Sequence, residues 1–523
     1  MSSVDPLSAE PARAAEFRSA GIKVGAAVVI FAVLYALYSH QVKVELQVQE
    51  LLYGPRVAGG QRAGGARSDF NKDTPVGLIA AESGLKKALD MQPSNPGAVS
   101  EYADVEAMLV SSGFPDRAPE ADSAVARAEV KDVTQAERYE AAALRLVQQG
   151  KPSDAEGLLA SVMQRFGQSN PRFLDAQGVA QRADCKLSEA RMSFKRAQDA
   201  EWRAARKVAN YATALLEDGN AVDALAAYDR ALQANSDHLR SMIGKARAFA
   251  SLARAGRNTD LKAAIALCDG ILARTDKNEV PPLLRAQALS ARAELKLASG
   301  DAGGATKDAA EAKLLAPDDA STLRALAYTA QSGAAGLWTA AAAKDKCDAS
   351  IYFDGALALT AGNDSASAEK LLGSFAAQLP KTARYYLALA QLQLARGDTK
   401  DADLALQQAL ALEPANALLY FEQGKVAQVR KDPKAAATAY EHAAQLRDDM
   451  PEIYRQMGIL YLESKQKEEG LRAMTDALAR YKAARAPDSV MEPFYAQVEG
   501  LSKKAGIKPK VAAQWVKEAR EAH

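Results

Sequence analysis

Apolar and polar positions fall into two regimes along this chain. Val24 to Tyr38 (VGAAVVIFAVLYALY) is an unbroken apolar run of fifteen residues. With Gly21, Ile22 and Lys23 before it and Ser39-His40 after it, the segment reaches twenty residues. That is about the length needed to cross a ~30 Å hydrocarbon layer at 1.5 Å per residue. Lys23 can snorkel, and Tyr35 and Tyr38 sit where an interfacial aromatic belt would lie. Further on, apolar residues recur at i, i+3, i+4 and i+7 in short blocks broken by Gly, Asp and Pro. That pattern predicts pair after pair of amphipathic helices.

The apolar run reads as a transmembrane signal-anchor over residues 21–40, behind a tail of residues 1–20. A cleaved signal peptide would carry a short basic leader and an A-x-A-like site. Here the preceding segment exceeds twenty residues and holds Asp5, Glu10 and Glu16, and no A-x-A follows. A buried core helix is the other alternative, but nothing nearby offers a core to join. Arg13, Arg18 and Lys23 precede the span and Lys43 and Arg56 follow it. The bias is slight, and it predicts a cytoplasmic N-terminus with the bulk of the chain outside the cytosol. Residues 41–75 read as a juxtamembrane segment and a Gly/Arg-rich tether, GPRVAGGQRAGGARS, whose arginines could touch anionic headgroups.

Segments beginning at Ala383, Ala417 and Pro451 start 34 residues apart and align without gaps. Small residues recur at the eighth place (Ala390, Gly424, Gly458), the twentieth (Ala402, Ala436, Gly470) and the twenty-seventh (Ala409, Ala443, Ala477). A larger side chain holds the twenty-fourth (Leu406, Tyr440, Met474). Small residues let helix axes approach to about 8 Å, and the large one fills the gap they leave. Turns are expected at Gly397-Asp398 and Lys431-Asp432-Pro433, and Pro414 ends a second helix. The same register reads upstream from Ala349, Ala286, Ala205, Pro171 and Ala136, with a degenerate unit near Val99.

This pattern strongly resembles the tetratricopeptide repeat family, whose period is 34 residues. The resemblance implies an all-α solenoid, a right-handed superhelix of helical hairpins that binds proteins or peptides on its concave face. With the anchor, the chain looks like a membrane-anchored bacterial member of that family. About eleven helical pairs are expected. The unit from Asp237 to Arg285 is too long, with RAGRNTD as the expected inserted loop. The unit at residues 320–348 is too short, carries SGAAG before Trp338, and marks a kink. It divides an N-terminal sub-array, residues 76–319, from a C-terminal one, residues 349–486. Residues 487–523 read as a cap, with Trp515 on the apolar side of a last helix.

Composition narrows the function classes. Lys plus Arg (66) nearly cancels Asp plus Glu (65), which leaves no basic surplus for nucleic acid. Cys185, Cys268 and Cys347 form no CxxC, so no zinc ribbon is encoded, and their odd number excludes a full disulfide framework. They are expected to be small packing residues. His40, His238, His442 and His523 are too scattered for a metal set. HExxH, GxSxG and GxxxxGK[ST] are missing, and Ser83-Gly84-Leu85-Lys86 matches SxxK without its companion motifs. The expectation is a non-enzyme without cofactor or metal.

By the family resemblance, places two, five, six, nine, twelve and thirteen of each first helix line the concave face. The apolar candidate groove is then Phe353, Leu357, Leu387, Gln391, Leu394, Phe421, Lys425, Arg455 and Ile459. A second, polar candidate patch comprises Arg172, Arg182, Arg206 and Asn210, with Asp175 among them. The family's chaperone-binding carboxylate clamp is not assembled: Asn210 fits one demand, while Asp175 and Val179 stand where Lys and Asn are needed. The expected role is an anchored adaptor for a bacterial envelope machine (secretion, pilus, motility or outer-membrane assembly), in the inner membrane with the repeats in the periplasm. A translocon- or chaperone-associated client binder and a self-assembling structural array are the alternatives.

Overall fold

The computed structural model of the protein describes residues 66, 73–130, 135–254, 259–483 and 488–521. The apolar run Val24–Tyr38 and nearly all of the tether lie outside them, as do the central residues of the RAGRNTD loop. Among the described residues there are 25 α-helices, one short 3-10 turn at Pro115–Arg117 and no strand, and no helix is long and apolar enough to cross a membrane.

After an opening helix, Pro75–Met91, the helices pair into hairpins. The first hairpins are Pro96–Ser111 with Ala118–Val130, Ala136–Gln148 with Pro152–Phe166, Pro171–Ala183 with Leu187–Ala200, and Ala205–Glu217 with Ala221–Ala234. Next come Leu239–Arg254 with Leu261–Leu272, Pro282–Ala298 with Ala302–Leu315, and Ala320–Thr329 with Ala334–Lys344. The array continues with Ala349–Ala361 and Ser365–Gln378, Ala383–Ala395 and Thr399–Leu412, Ala417–Val429 and Pro433–Leu446, and Pro451–Glu463 and Lys467–Ala483.

The turn is built alike in eight of the hairpins. Place fifteen adopts a left-handed backbone at Gly150, Gly219, Gly300 and Gly397, and also at Cys185, Asn363, Lys431 and Lys465. The next residue's N–H then reaches back five residues: Lys186 to the Gln181 carbonyl at 2.8 Å, Asp301 to Lys296 at 2.8 Å, Asp398 to Gln393 at 2.9 Å. That bond satisfies a carbonyl which the ending helix leaves open. The second helix starts at once, because Asp301, Asp364, Asp398 and Asp432 accept its free N–H groups.

Packing between the two helices follows the small-against-large rule. A Cβ on Gly424 would lie 2.3 Å from the Tyr440 ring, one on Gly178 2.6 Å from Phe194, and one on Gly458 2.8 Å from Met474. Each is a place-eight glycine facing its own place-twenty-four side chain, and all three large partners are buried. Apolar clusters repeat along the stack, one of them joining Ala436, Tyr440 and Ala443 to Ile453 and Leu460 of the following hairpin. No single centre holds the molecule, as expected of a solenoid whose units contact chiefly their neighbours.

Two units depart from the period. Between Leu239 and Pro282 the first helix is lengthened, and a connection with buried Val280 precedes the next unit. The hairpin from Ala320 to Lys344 has helices of 10 and 11 residues. Its Trp338 is fully buried and meets Tyr328 edge-on at 4.8 Å. After the last repeat, Asp488–Lys504 and Pro509–Glu521 cover the open face of Lys467–Ala483. There Phe494 is fully buried, and the Trp515 indole donates to Thr475 Oγ1 at 3.0 Å.

Gly424→Ala should destabilise the protein by about 1–3 kcal/mol, because the added methyl meets a buried ring with no room to turn. Adding Tyr440→Leu should recover part of the loss. Thermal melts of the two variants check this, and equal loss in both would contradict the packing.

Candidate partner-binding lumen

Each hairpin turns the stack, and five hairpins on from Pro171–Ala200 the chain meets itself. Cys185 and Cys347 form a disulfide with Cα atoms 4.9 Å apart and 162 residues of separation. Beside it the Arg182 guanidinium donates to Glu217 at 2.6 Å and to Asp345 at 2.8 Å. Arg384 donates to the Glu217 carbonyl at 2.9 Å, and Arg254 joins Glu294 at 2.7 Å to Asp354 at 3.1 Å. These contacts close the inner face into a lumen holding a cavity of about 310 Å³. Its wall mixes Arg182, Arg240, Arg247 and Arg324 with Glu217, Asp345 and Asp348, interrupted by apolar Ile243, Leu284 and Ile351.

The disulfide corrects the expectation of three packing cysteines. Cys185 occupies the left-handed place fifteen of its hairpin, and Cys347 lies in the loop after the shortened unit, so the closure brings them together. Cys268 alone is free, and burial pushes its thiol up to about 12.

Most of the polar patch is an internal ion-pair network. Arg172 bonds Asp104 at 2.9 Å and Glu140 at 2.8 Å, Arg206 bonds Glu140 at 2.7 Å, and Asn210 donates to Asp175 at 2.9 Å. Three buried carboxylates face two guanidiniums. Burial raises all three, but Arg206 and Arg172 overrule it at Glu140 and hold that carboxyl at about 2. Asp104 is pushed well above the usual carboxylate range by burial and by Glu140. Arg182 belongs to the closure just described. The patch therefore joins hairpins and is corrected from a free docking surface.

The apolar candidate groove is corrected as well. Phe353 is 2% exposed, packed against Phe375 under the Arg384 guanidinium, and Phe421 is 9% exposed beside Tyr440. Leu387 and Leu394 are half-buried in one inter-hairpin cluster, and Ile459 packs towards the C-terminal helices. Gln391 and Lys425 are held by Glu422 at 3.1 and 2.8 Å, and Arg455 by Gln497 at 2.7 Å. Leu357 alone of the nine is well exposed, at 41%. At Phe353, Leu387 and Phe421 the place-five side chain serves the apolar core between helices. Arg247, Arg254, Arg324 and Asp348, which do line or frame the lumen, were not singled out. They share places with ordinary solvated residues and gain their setting only on closure.

The recurring geometry inside the chain is the fold that the repeat resemblance implies. Hairpins spaced at 34 residues, small place eight against large place twenty-four and a left-handed place fifteen occur together. The hairpins resemble tetratricopeptide repeats in all three features. No family model matches the sequence, and no curated protein matches it. Solved structures share the fold of stacked hairpins. The APC/C hetero-tetramer Cut9–Hcn1 is 15% identical, over 84% of this chain and 93% of that one, with a TM-score of 0.35. Yeast Tom70 is 13% identical, over 73% and 95%, with a TM-score of 0.38. A tetratricopeptide repeat protein from Parabacteroides merdae is 18% identical, over 56% and 98%, with a TM-score of 0.30.

One buried acid is poorly compensated. Arg117, 3.9 Å from Glu106, is engaged by Glu82 at 2.7 Å, and the Tyr102 hydroxyl near Glu106 donates to Glu120 at 2.6 Å. Burial, helped by the Glu82 charge, pushes Glu106 up to about 7. An acid raised on folding adds no penalty below its unfolded value near 4.5, and its penalty builds between there and 7 and is complete above 7. Glu106→Gln should therefore be more stable than the wild type at pH 8, by about 1 kcal/mol or more, with the gap closing by pH 5. Denaturant titrations at the two pH values check this, and a gap independent of pH would contradict it.

Proposed function

We propose that the protein is a membrane-anchored, non-enzymatic scaffold that recruits a partner protein to a bacterial cell-envelope assembly. The observation that carries this reading is the repeat array itself, an extended stack of hairpins closed round a lumen. The Val24–Tyr38 run supplies the anchor and the Gly/Arg-rich segment the tether. The Cys185–Cys347 bond supports placing the repeats on the oxidising side, in the periplasm, since cytosolic thiols are ordinarily kept reduced.

Alkaline washing and cross-linking of native membranes test the reading together. The full chain should stay in the pellet, and a chain lacking residues 1–45 should wash out. One partner should cross-link saturably to the full chain and be competed by the soluble repeats. Release of the full chain by the wash contradicts the anchor. Weak, unsaturable labelling of many chains contradicts the scaffold in favour of a general client binder.

A further inference from the structure

The chain comes to its first helix by way of the hairpins' inner side. Ala66 is 3% exposed and belongs to the apolar cluster of the opening helices, with Leu85 and Val105. It sits in a notch left by Gly84, where an added Cβ would lie 3.1 Å from its own. Asp73 lines a cavity of about 100 Å³ with Met108, Val179, Asn210 and His238. Two points of the lead-in, seven residues apart, therefore lie against first helices of the N-terminal hairpins.

The surface beside Ala66 is acidic. Glu101, Asp104 and Glu137 line one small cavity with it, and Arg172 is the cation among the lining residues. Arg172 bonds Asp104 Oδ2 at 2.9 Å and Glu140 at 2.8 Å and faces Glu137 at 3.6 Å, so one guanidinium is divided among three acids. Asp104 is 1% exposed, and its other oxygen, Oδ1, has no hydrogen-bond partner among the described residues. A buried acceptor left open is costly unless a donor reaches it.

Residues 54–65 (GPRVAGGQRAGG) lead directly into Ala66 and carry Arg56 and Arg62 but no acid. Four residues of extended chain span at most ~14 Å, which confines a guanidinium at position 62 to the neighbourhood of these carboxyls. Gly59, Gly60, Gly64 and Gly65 have no Cβ to hold the backbone off a packed surface.

We propose that the Gly/Arg-rich segment 54–65 is a strap bound in cis on the acidic inner side of the first hairpins, with Arg62 paired to the Glu101, Asp104 and Glu137 cluster. The guanidinium fork suits a group of carboxylates, and Ala66 in its notch fixes the end of the strap. Part of the tether is thereby consumed. A partner gains this part of the array only by displacing the strap. The strap goes beyond the scaffold reading and needs no partner to form.

The test is zero-length carbodiimide coupling on the detergent-solubilised full chain carrying Arg62→Lys, which gives the segment an amine that couples only to a carboxyl it touches. Peptide mapping should find position 62 linked within one chain to Glu101, Asp104 or Glu137. Adding Ala66→Asp, which puts a charge into the apolar notch, should cut that link at least tenfold. If that variant melts early, Arg62→Lys alone decides, since position 62 lies ahead of the first hairpin. An unlinked position 62, or one linked only to other carboxyls, overturns the strap, and an undiminished link in Ala66→Asp overturns its seating. Links between isotopically labelled and unlabelled chains make it a contact between copies and overturn the cis reading. An unlinked position 62 that resists trypsin only after reconstitution into phosphatidylglycerol vesicles assigns the cation to headgroups and overturns the strap. The link is read without a partner, so its failure leaves the scaffold reading standing, and loss of the cross-linked partner leaves the strap standing.

Discussion

The lumen depends on the contact between Pro171–Ala200 and the loop after Lys344. A stack of repeats has no intrinsic reason to touch itself, because each unit is stabilised by its neighbours. Here the disulfide, the Arg182 bonds to Glu217 and Asp345, and the Arg384 bond to the Glu217 carbonyl fasten one turn of the stack to the next. That contact converts an open concave face into a lumen. It also decides which inner side chains are consumed and which are left over.

The inner charges are a consequence of the same closure. Desolvating an ion pair costs several kcal/mol per ion, and the pair's attraction repays it only where geometry is good. Arg172, Arg182 and Arg206 meet that condition with bonds of 2.6–2.9 Å to buried carboxylates. Burial still pushes Glu217 up to about 7 against the pull of Arg182. The network is better read as fixing how hairpins dock than as a large source of stability.

Much of the fold was legible from the period. Helices begin at Ala136, Pro171, Ala205, Ala349, Ala383, Ala417 and Pro451, each at place one of the 34-residue register. Local rules suffice there, since a Gly turn, an Asp cap and a small-large pair act within one unit. The site was not legible in the same way. Phe353 and Phe421 occupy groove places of the family pattern, yet are buried in the helix interface, because place five also faces the partner helix. The Cys185–Cys347 pair left only a partial signal. Cys185 stands where Gly150, Gly219, Gly300 and Gly397 stand, but Lys431 and Lys465 do the same without any bond. Its partner is 162 residues away, a distance over which a 34-residue period says nothing.

The closure is therefore the claim on which the lumen and the proposed periplasmic placement both rest. Peptide mapping of the purified full chain equilibrated with oxidised glutathione tests it most directly. The account predicts one intramolecular linked pair containing Cys185 and Cys347, formed at full stoichiometry, with Cys268 recovered as a free thiol. Recovery of Cys185 and Cys347 as separate glutathione adducts, with no linked pair, would contradict the closure.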